Sequence, residues 1–140
     1  MKYNLRSICK MSNRLVKEGI RRSDAFRQAW RAAKQGIIEK VAGVTYGGRQ
    51  KLLEYLDNVQ KEKIHVSLYR DSANPFDDHA VAVIADVAGY GKCRVGYLPR
   101  TSAVIVADLM DRGVSFVSWL QGIVGGYNGQ YYGMRIRIQV

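Results

Sequence analysis

Two short segments of this 140-residue chain alternate between apolar and polar side chains, and this pattern constrains the fold more than any other feature. In residues 64–70 the apolar side chains are Ile64, Val66 and Leu68. In residues 134–140, methionine, isoleucine and valine alternate with arginine and glutamine. Because successive side chains of a β-strand point to opposite faces, each segment predicts a strand with one buried face and one exposed face.

The rest of the body supplies further strands and two helices, separated by turn-forming residues. Apolar residues three and four positions apart indicate the helices, and short apolar runs indicate the strands. The predicted elements are a strand at Lys40–Thr45, a helix at Arg49–Asp57, strands at Ile64–Arg70, Ala80–Val87 and Arg94–Leu98, a helix at Ser102–Arg112 capped by Thr101, and a hairpin of Val114–Val124 with Tyr131–Val140. This order predicts a β-rich α+β fold, a small β-barrel of about six strands with two short helices.

Positive charge is concentrated in the first part of the chain. Residues 1–40 carry 11 Lys and Arg against three Asp and Glu, whereas residues 41–140 carry 11 against nine. The formal net charge of the whole chain is +10. Such an asymmetry is typical of an interaction segment joined to a nearly neutral body. We therefore predict two units, a basic segment at 1–38 and a barrel domain at 39–140.

The basic segment has the spacing of two amphipathic helices. Apolar residues lie on one side and cations on the other over about 4–18 and 23–35, which predicts a helical hairpin. Arg27 and Arg31 lie on the polar face of the second helix and are candidate phosphate contacts. The same pattern is also typical of helices that pack on the body with solvated cations, or that meet a membrane surface or a partner protein, so these alternatives stay open.

Composition disfavours several classes of protein. No window of about 18 apolar residues predicts a transmembrane helix, and the N-terminal residues lack the apolar core of a signal peptide. We therefore expect a cytoplasmic protein with no membrane partner. Cys9 and Cys93 are too few for a disulfide framework. A charge of +10 leaves nucleic acid, an anionic surface or an acidic protein as candidate partners, with nucleic acid first.

Several blocks of the body are similar to a known family. They are VAGVTY at Val41–Tyr46, Arg49-Gln50, VSLYRDSANPFDDHAVAV at Val66–Val83, and VGYLPR at Val95–Arg100 followed by Ala103. The most specific parts are Asn74–Asp77 with the AVAV run that follows, and the GYLPR block. On these residues, positions 41–140 resemble the HIRAN domain, whereas the first 40 residues are not covered.

The resemblance implies a modified barrel of the oligonucleotide-binding (OB) type in a protein that handles DNA. Members of the family occur as stand-alone bacterial and phage proteins and as domains fused to DNA-remodelling helicases and nucleases. A well-understood member holds the 3′-hydroxyl end of single-stranded DNA. The resemblance therefore implies a non-catalytic protein without a cofactor that binds single-stranded DNA or DNA 3′ ends in repair, replication or mobile-element processing. A DNA-processing protein is a further candidate partner.

The same resemblance implies a set of site residues. They are Tyr46 and Tyr97 lining the nucleotide pocket, Asn74, Phe76 and Asp77 in the loop that receives the terminal nucleotide, and Arg100 at a phosphate. The chemistry is consistent, because an aromatic ring stacks on any base. A carboxylate at Asp77 accepts a hydrogen bond from a terminal hydroxyl and repels a phosphate at the same place.

Two positions differ from the family member that holds a 3′-hydroxyl end, which we call the DNA-end binder. Thr45 stands where that protein has an arginine, and Tyr97 replaces a histidine. The loss of the arginine makes general single-strand binding a safer expectation than strict capture of 3′ ends. Structural roles also stay open for the site residues, since Phe76 can plug a loop into the core and Asp77 can cap a turn.

Enzymatic functions are weakly supported. Asp71, Asp77, Asp78 and His79 are reminiscent of a metal-dependent nuclease, but consecutive aspartates in an extended loop point in opposite directions, and no second acidic cluster is present. The cysteines and histidines lack zinc-ligand spacing. No nucleophile elbow or phosphate-binding glycine loop occurs. We therefore expect a binding protein that is not an enzyme and has no metal site, with a protein-recruitment module as the alternative and a nuclease as a more remote one.

Overall fold

Two three-stranded antiparallel sheets and two α-helices make up the part of the chain that the computed structural model describes, residues 36–139. The elements are β1 (Ile37–Lys40), α1 (Arg49–Asp57), a 3₁₀ turn (Lys61–Lys63), β2 (Ile64–Arg70), β3 (Val81–Val87), β4 (Gly91–Tyr97), α2 (Arg100–Asp111), β5 (Val117–Val124) and β6 (Gly133–Gln139). The predicted β-rich α+β fold with six strands and two helices is confirmed for these residues. The predicted N-terminal hairpin, with Arg27 and Arg31, lies outside them.

Most predicted boundaries agree with the structure, but the first strand was misplaced. The strand predicted at Lys40–Thr45 is found at Ile37–Lys40. The chain turns soon afterwards, because Gly43 adopts a left-handed φ of +72° that no regular strand contains. The cap prediction for α2 was also wrong, since Pro99 and not Thr101 is the N-cap residue. The fixed φ of proline suits the end of the extended segment that leads into this helix.

The six strands divide into two sheets. Sheet A has the order β1-β6-β5, and sheet B is a meander of β2-β3-β4. In sheet A, Ile37 pairs with Ile138, so the first strand lies beside the last described strand. In sheet B each strand pairs with its neighbour in sequence. The inner faces of both sheets and the two helices enclose the core, whose fully buried residues include Leu53, Leu56, Val81, Val83, Val95, Met134, Ile136 and Ile138.

The sheets are joined on one side by the segment that follows β1. The Val41 backbone N–H donates to the carbonyl of Met134 in sheet A at 2.8 Å. One residue later, Ala42 and Tyr97 of sheet B exchange two backbone hydrogen bonds, of 2.7 and 2.9 Å. A single extended segment therefore passes from sheet A to sheet B, and it brings the ends of β1 and β4 together.

On the other side the sheets remain separate, so the prediction of a closed barrel is wrong. The edge strands β2 and β5 lie next to each other but belong to different sheets. The Ser118 hydroxyl donates to the Val66 carbonyl at 2.9 Å, which satisfies an acceptor that a backbone N–H would use in a closed barrel. The register of β5 also shifts between Leu120 and Gly122. Such bulges bend and twist a strand away from continuous pairing.

Glu39 is a half-buried carboxyl on β1 whose ionisation opposes folding. Burial raises its pKa above the ordinary value of 4.5, and a hydrogen bond with the Ser102 side chain acts in the opposite direction. A raised folded-state pKa means that stability from this group is present below the unfolded pKa and is lost as pH rises through the folded pKa. Glu39→Gln is therefore expected to stabilise the protein at about pH 7 but not at about pH 4.

Urea unfolding at both pH values measures this effect. Glu54→Gln is the matched control, because Glu54 is an exposed glutamate on α1. Its unfolding midpoint should follow that of the unmodified protein at both pH values. A Glu39→Gln variant that is no more stable at neutral pH would contradict the expectation.

Candidate functional site

A cleft of about 760 Å³ lies at the junction of the two sheets. Its walls come from the segment after β1, the start of α1, the β2–β3 loop, the end of β4 and the start of α2. Ligand pockets in proteins have volumes of roughly 300–1,000 Å³, so the cleft is large enough for a small ligand or part of a polymer. Every predicted site residue within the described part lines it: Tyr46, Asn74, Phe76, Asp77, Tyr97 and Arg100.

The β2–β3 loop is shaped by the side chain of Asn74. Its Oδ1 accepts hydrogen bonds from the backbone N–H groups of Phe76 at 2.8 Å and Asp77 at 3.2 Å. Its Nδ2 donates to Asp71 Oδ2 at 3.2 Å. At the base of the loop, the Asp71 N–H donates to the Ala80 carbonyl at 3.0 Å. Asn74 therefore holds the loop in one conformation, which is the turn-forming role that asparagine commonly has before proline.

The tip of this loop presents an aromatic ring to solvent. The Phe76 side chain is 84% exposed, so the alternative in which it plugs into the core is wrong. The Arg100 Nη2 donates to the Phe76 carbonyl at 3.0 Å, which connects the loop to the start of α2. Asp77 caps a turn, because its Oδ1 accepts from the His79 N–H at 2.9 Å. Tyr46, across the cleft in the segment after β1, is also exposed, at 71%.

Tyr97 differs from the other two aromatic residues because its polar and aromatic groups are already in contact with charged side chains. Its hydroxyl accepts a hydrogen bond from Arg94 Nη1 at 2.7 Å and donates to Asp71 Oδ2 at 3.2 Å. The guanidinium carbons of Arg94 and Arg49 lie 5.5 and 5.8 Å from its ring centroid. These distances are typical of cation–π contacts. Tyr97 therefore positions two guanidinium groups at the cleft, whereas Tyr46 and Phe76 offer free rings.

Arg49, Asp71 and Arg94 line the cleft but were not predicted as site residues. Arg94 was missed because residues three apart in a regular strand point to opposite faces, so alternation separates it from Tyr97. In β4, however, Ala82 pairs with Tyr97 and Ile84 pairs with Arg94, and the register shift between these pairs brings both side chains to one side. A single sequence carries no clear signal for such a bulge.

Arg49 was missed for a different reason. It begins α1, and its Nη1 donates to the Gly43 carbonyl at 2.7 Å, which fixes the guanidinium over the turn after β1. Only the three-dimensional path of this turn shows that the side chain reaches the cleft. Thr45 is exposed and does not line the cleft.

The charged side chains of the cleft differ in how far neighbouring groups compensate their charge. Arg49, Arg94 and Arg100 bring three cations, and Asp71 and Asp77 bring two carboxylates. Asp71 lies 3.8 Å from Arg94 and accepts hydrogen bonds from two further side chains, so its charge is largely compensated within the protein. The arrangement is suited to an anion next to a flat, stackable group, which is the chemistry of a nucleotide.

Within 36–139, no three histidine, cysteine, aspartate or glutamate side chains lie close enough together to bind a metal ion. Over the same range, each helix is too short or too polar to cross a membrane.

Comparison with known proteins places this chain in a family. The model of the HIRAN domain matches residues 39–140, a range that contains the whole cleft. A search of curated proteins found no match. A crystal structure of a Lactobacillus plantarum protein has a similar fold, with a TM-score of 0.51 and 21% identity, over 75% of this chain and 95% of that one. The HIRAN domain of human HLTF aligns with a TM-score of 0.46 and 21% identity, over 74% of each chain. Because the family match spans most of the sequence, the chain belongs to the HIRAN domain family.

Proposed function

We propose that this protein binds single-stranded DNA, with a preference for 3′ ends, in the cleft at the junction of the two sheets, and that it does so without catalysing a reaction. HIRAN domains are nucleic-acid-binding domains, so family membership supports DNA as a partner in general terms. The observation that supports single-stranded DNA as the ligand of the cleft is the placement of two exposed rings, Tyr46 and Phe76, beside three guanidinium groups. DNA repair, replication or mobile-element processing is the proposed setting.

The proposed binding mode combines stacking with phosphate contacts. Tyr46 and Phe76 stack on bases, each stacked base contributing about 1–3 kcal/mol. Arg49 and Arg100 contact phosphates, which accounts for affinity without sequence preference. Arg49 supplies a cation at the cleft although Thr45 replaces the arginine of the DNA-end binder. The cleft therefore still has a guanidinium group near this segment, although position 45 is a threonine.

We assign the preference for a 3′ end of DNA to the carboxylate of Asp77. One of its oxygens accepts the His79 N–H, and the half-buried carboxylate lines the cleft. A carboxylate accepts a hydrogen bond from a terminal 3′-hydroxyl. An internal or terminal phosphate at the same position is repelled, because two negative charges at close range destabilise each other.

One labelled sequence prepared in three forms tests the proposal: with a free 3′-hydroxyl, with a 3′-phosphate, and as a circle. In fluorescence anisotropy at low salt, we expect the 3′-hydroxyl form to bind at least about tenfold more tightly than the others, a difference of about 1.4 kcal/mol. Asp77→Asn removes the negative charge and should reduce this difference, which makes it the matched variant.

The outcomes separate the parts of the proposal. Equal affinity for the three forms would discard end recognition and leave strand binding. Lack of binding to every form at low salt would reject the whole proposal. The same oligonucleotides, incubated with magnesium or manganese and then run on a denaturing gel, should remain intact. Cleavage that disappears in the Asp77→Asn variant would instead show a nuclease.

A further inference from the structure

The outer face of sheet A combines cationic, aromatic and aliphatic side chains. We use this name for the outward-facing side chains of β1, β5 and β6: Ile38, Lys40, Val117, Trp119, Arg135 and Arg137. In β6 the outward positions are set by alternation, because Met134, Ile136 and Ile138 are buried in the core. In β5 the buried Ser118 and Leu120 leave Val117 and Trp119 on the outside.

Cross-strand register places aromatic, cationic and apolar groups side by side on this face. Arg137 pairs with Ile38 on one side and with Trp119 on the other. Its guanidinium carbon lies 5.9 Å from the centre of a Trp119 ring. In the next row Arg135 pairs with Lys40. The Trp119 side chain is 39% exposed, so the indole remains accessible beside Arg137.

Within residues 36–139, no ion pair compensates the cations of this face. Strands β5 and β6 contain no aspartate or glutamate, and the whole stretch from Gly113 to Gln139 contains none. The one acidic residue of β1, Glu39, points inward and is half-buried. Lys40, Arg135 and Arg137 therefore form a cationic patch over two adjacent cross-strand rows, beside the exposed Ile38 and Trp119. Cations beside an exposed ring fit a single nucleic-acid strand, whose phosphates contact the cations and whose bases stack on the ring.

The outer face is continuous with the cleft. Ile38, Lys40 and Ala42 have the same parity along an extended segment, so their side chains point to the same side. Ala42 lines the cleft, and its backbone pairs with Tyr97. Lys40 lies two residues earlier, a rise of about 7 Å. A DNA strand that leaves the cleft along β1 therefore reaches Lys40 at the edge of the cationic patch.

We infer that the outer face of sheet A is a second contact surface for single-stranded nucleic acid, which continues the path of a strand held in the cleft. The inference rests on the proposed function for the kind of ligand, but it assigns a different surface and different residues. It requires that oligonucleotides long enough to leave the cleft gain affinity from Trp119, Arg135 and Arg137. Short oligonucleotides confined to the cleft should gain nothing from them.

Tryptophan fluorescence reads the outer face directly. The chain has two tryptophans, Trp30 and Trp119, so Trp30→Phe leaves Trp119 as the sole indole. Addition of an oligothymidylate of about 20 nucleotides is expected to quench Trp119 emission in a saturable way, because a base stacks on the ring. An oligonucleotide of about four nucleotides, near the smallest site of an OB-type domain, should bind without this quenching.

Paired variants test the cations. Arg135→Gln/Arg137→Gln is expected to weaken binding of the long oligonucleotide at least about fivefold and to leave the short one unchanged, because two phosphate contacts are lost. Lys51→Gln/Lys92→Gln removes the same charge from exposed positions outside both surfaces and serves as the matched control. Its effect on the long oligonucleotide should stay below about twofold. Circular dichroism and thermal melting verify that each variant is folded.

Different outcomes identify which proposal fails. If the long oligonucleotide binds but leaves Trp119 emission unchanged, and the arginine variant binds normally, the outer face is not a contact surface and the cleft proposal stands. If Phe76→Ala abolishes binding of the short oligonucleotide while the long one still quenches Trp119, both surfaces are supported. Absence of any binding rejects both.

Two additional measurements address a membrane surface as the ligand of this face and a Trp30→Phe variant that does not fold. Anionic phosphatidylserine vesicles that shift Trp119 emission, where oligonucleotides do not, would overturn the inference in favour of a membrane surface. If Trp30→Phe does not fold, photocrosslinking of the unmodified protein to an iodouracil-containing oligonucleotide replaces the fluorescence measurement. Peptide mapping should then locate the crosslink at Trp119, and crosslinks confined to the cleft would reject the second surface.

Discussion

Substitution of Gly96 by alanine is expected to lower the free energy of unfolding by about 3 kcal/mol or more, the upper range for overpacking in a core. A Cβ at this position would lie 2.2 Å from the Ala42 carbonyl oxygen and 2.7 Å from a Val41 side-chain carbon. The Ala42 carbonyl cannot move away freely, because it accepts the Tyr97 N–H in the contact that joins the two sheets. The added methyl group therefore separates sheet A from sheet B at their junction.

Urea or thermal unfolding measures this loss. Gly122→Ala is the matched control, since Gly122 also lies in a strand but an added Cβ would have no neighbour within 4 Å. Its effect should remain within about 0.5 kcal/mol. Equal stability changes for the two variants would show that the close approach at Gly96 does not determine how the sheets join.

Substitution of Phe76 by alanine is expected to weaken DNA binding by about 1–3 kcal/mol, or roughly 5- to 150-fold in Kd. The ring is 84% exposed and contributes little to the core, so stability should be almost unchanged. The loop conformation should also persist, because the Asn74 side chain and Arg100 bond to backbone groups of the loop and not to the ring. Fluorescence anisotropy with the 3′-hydroxyl oligonucleotide measures the affinity.

Tyr90→Ala is the control for removal of an exposed ring. Tyr90 is 81% exposed, but it lies in the β3–β4 turn, outside the cleft, where its ring meets that of Tyr55 edge-on. Binding should therefore equal that of the unmodified protein. If Phe76→Ala also binds with unchanged affinity, the exposed ring of the β2–β3 loop is not a stacking platform and the proposed binding mode fails.

The parts of the fold that sequence predicted well are those that depend on local pattern. The bounds of α1 and β2 follow from their own apolar spacing, and the structure places both at the predicted residues. The position of β1 depends instead on its pairing with β6, far away in sequence, which local composition does not encode. Separation of the sheets depends on which backbone groups pair between β2 and β5, and side-chain alternation does not report this.

The residues of the candidate site also divide into those that the sequence predicted and those that only the structure reveals. The motif resemblance predicted that Tyr46, Phe76 and Tyr97 share one site, and all three line the cleft. Arg49 and Arg94 needed the structure, since a left-handed glycine turn and a strand bulge direct their side chains. Local irregularities of the backbone therefore position the cations that regular periodicity could not predict.

The pairing of β1 with β6 also determines the order in which the protein can assemble as it is synthesised. Sheet B consists of consecutive strands and can form soon after β4 leaves the ribosome. Ile37, by contrast, must wait for Ile138, about a hundred residues later, and contacts so distant in sequence form slowly. A nascent chain can therefore display the β2–β3 loop while its first strand is still unpaired. The proposed binding surface is therefore complete only once β6 has left the exit tunnel.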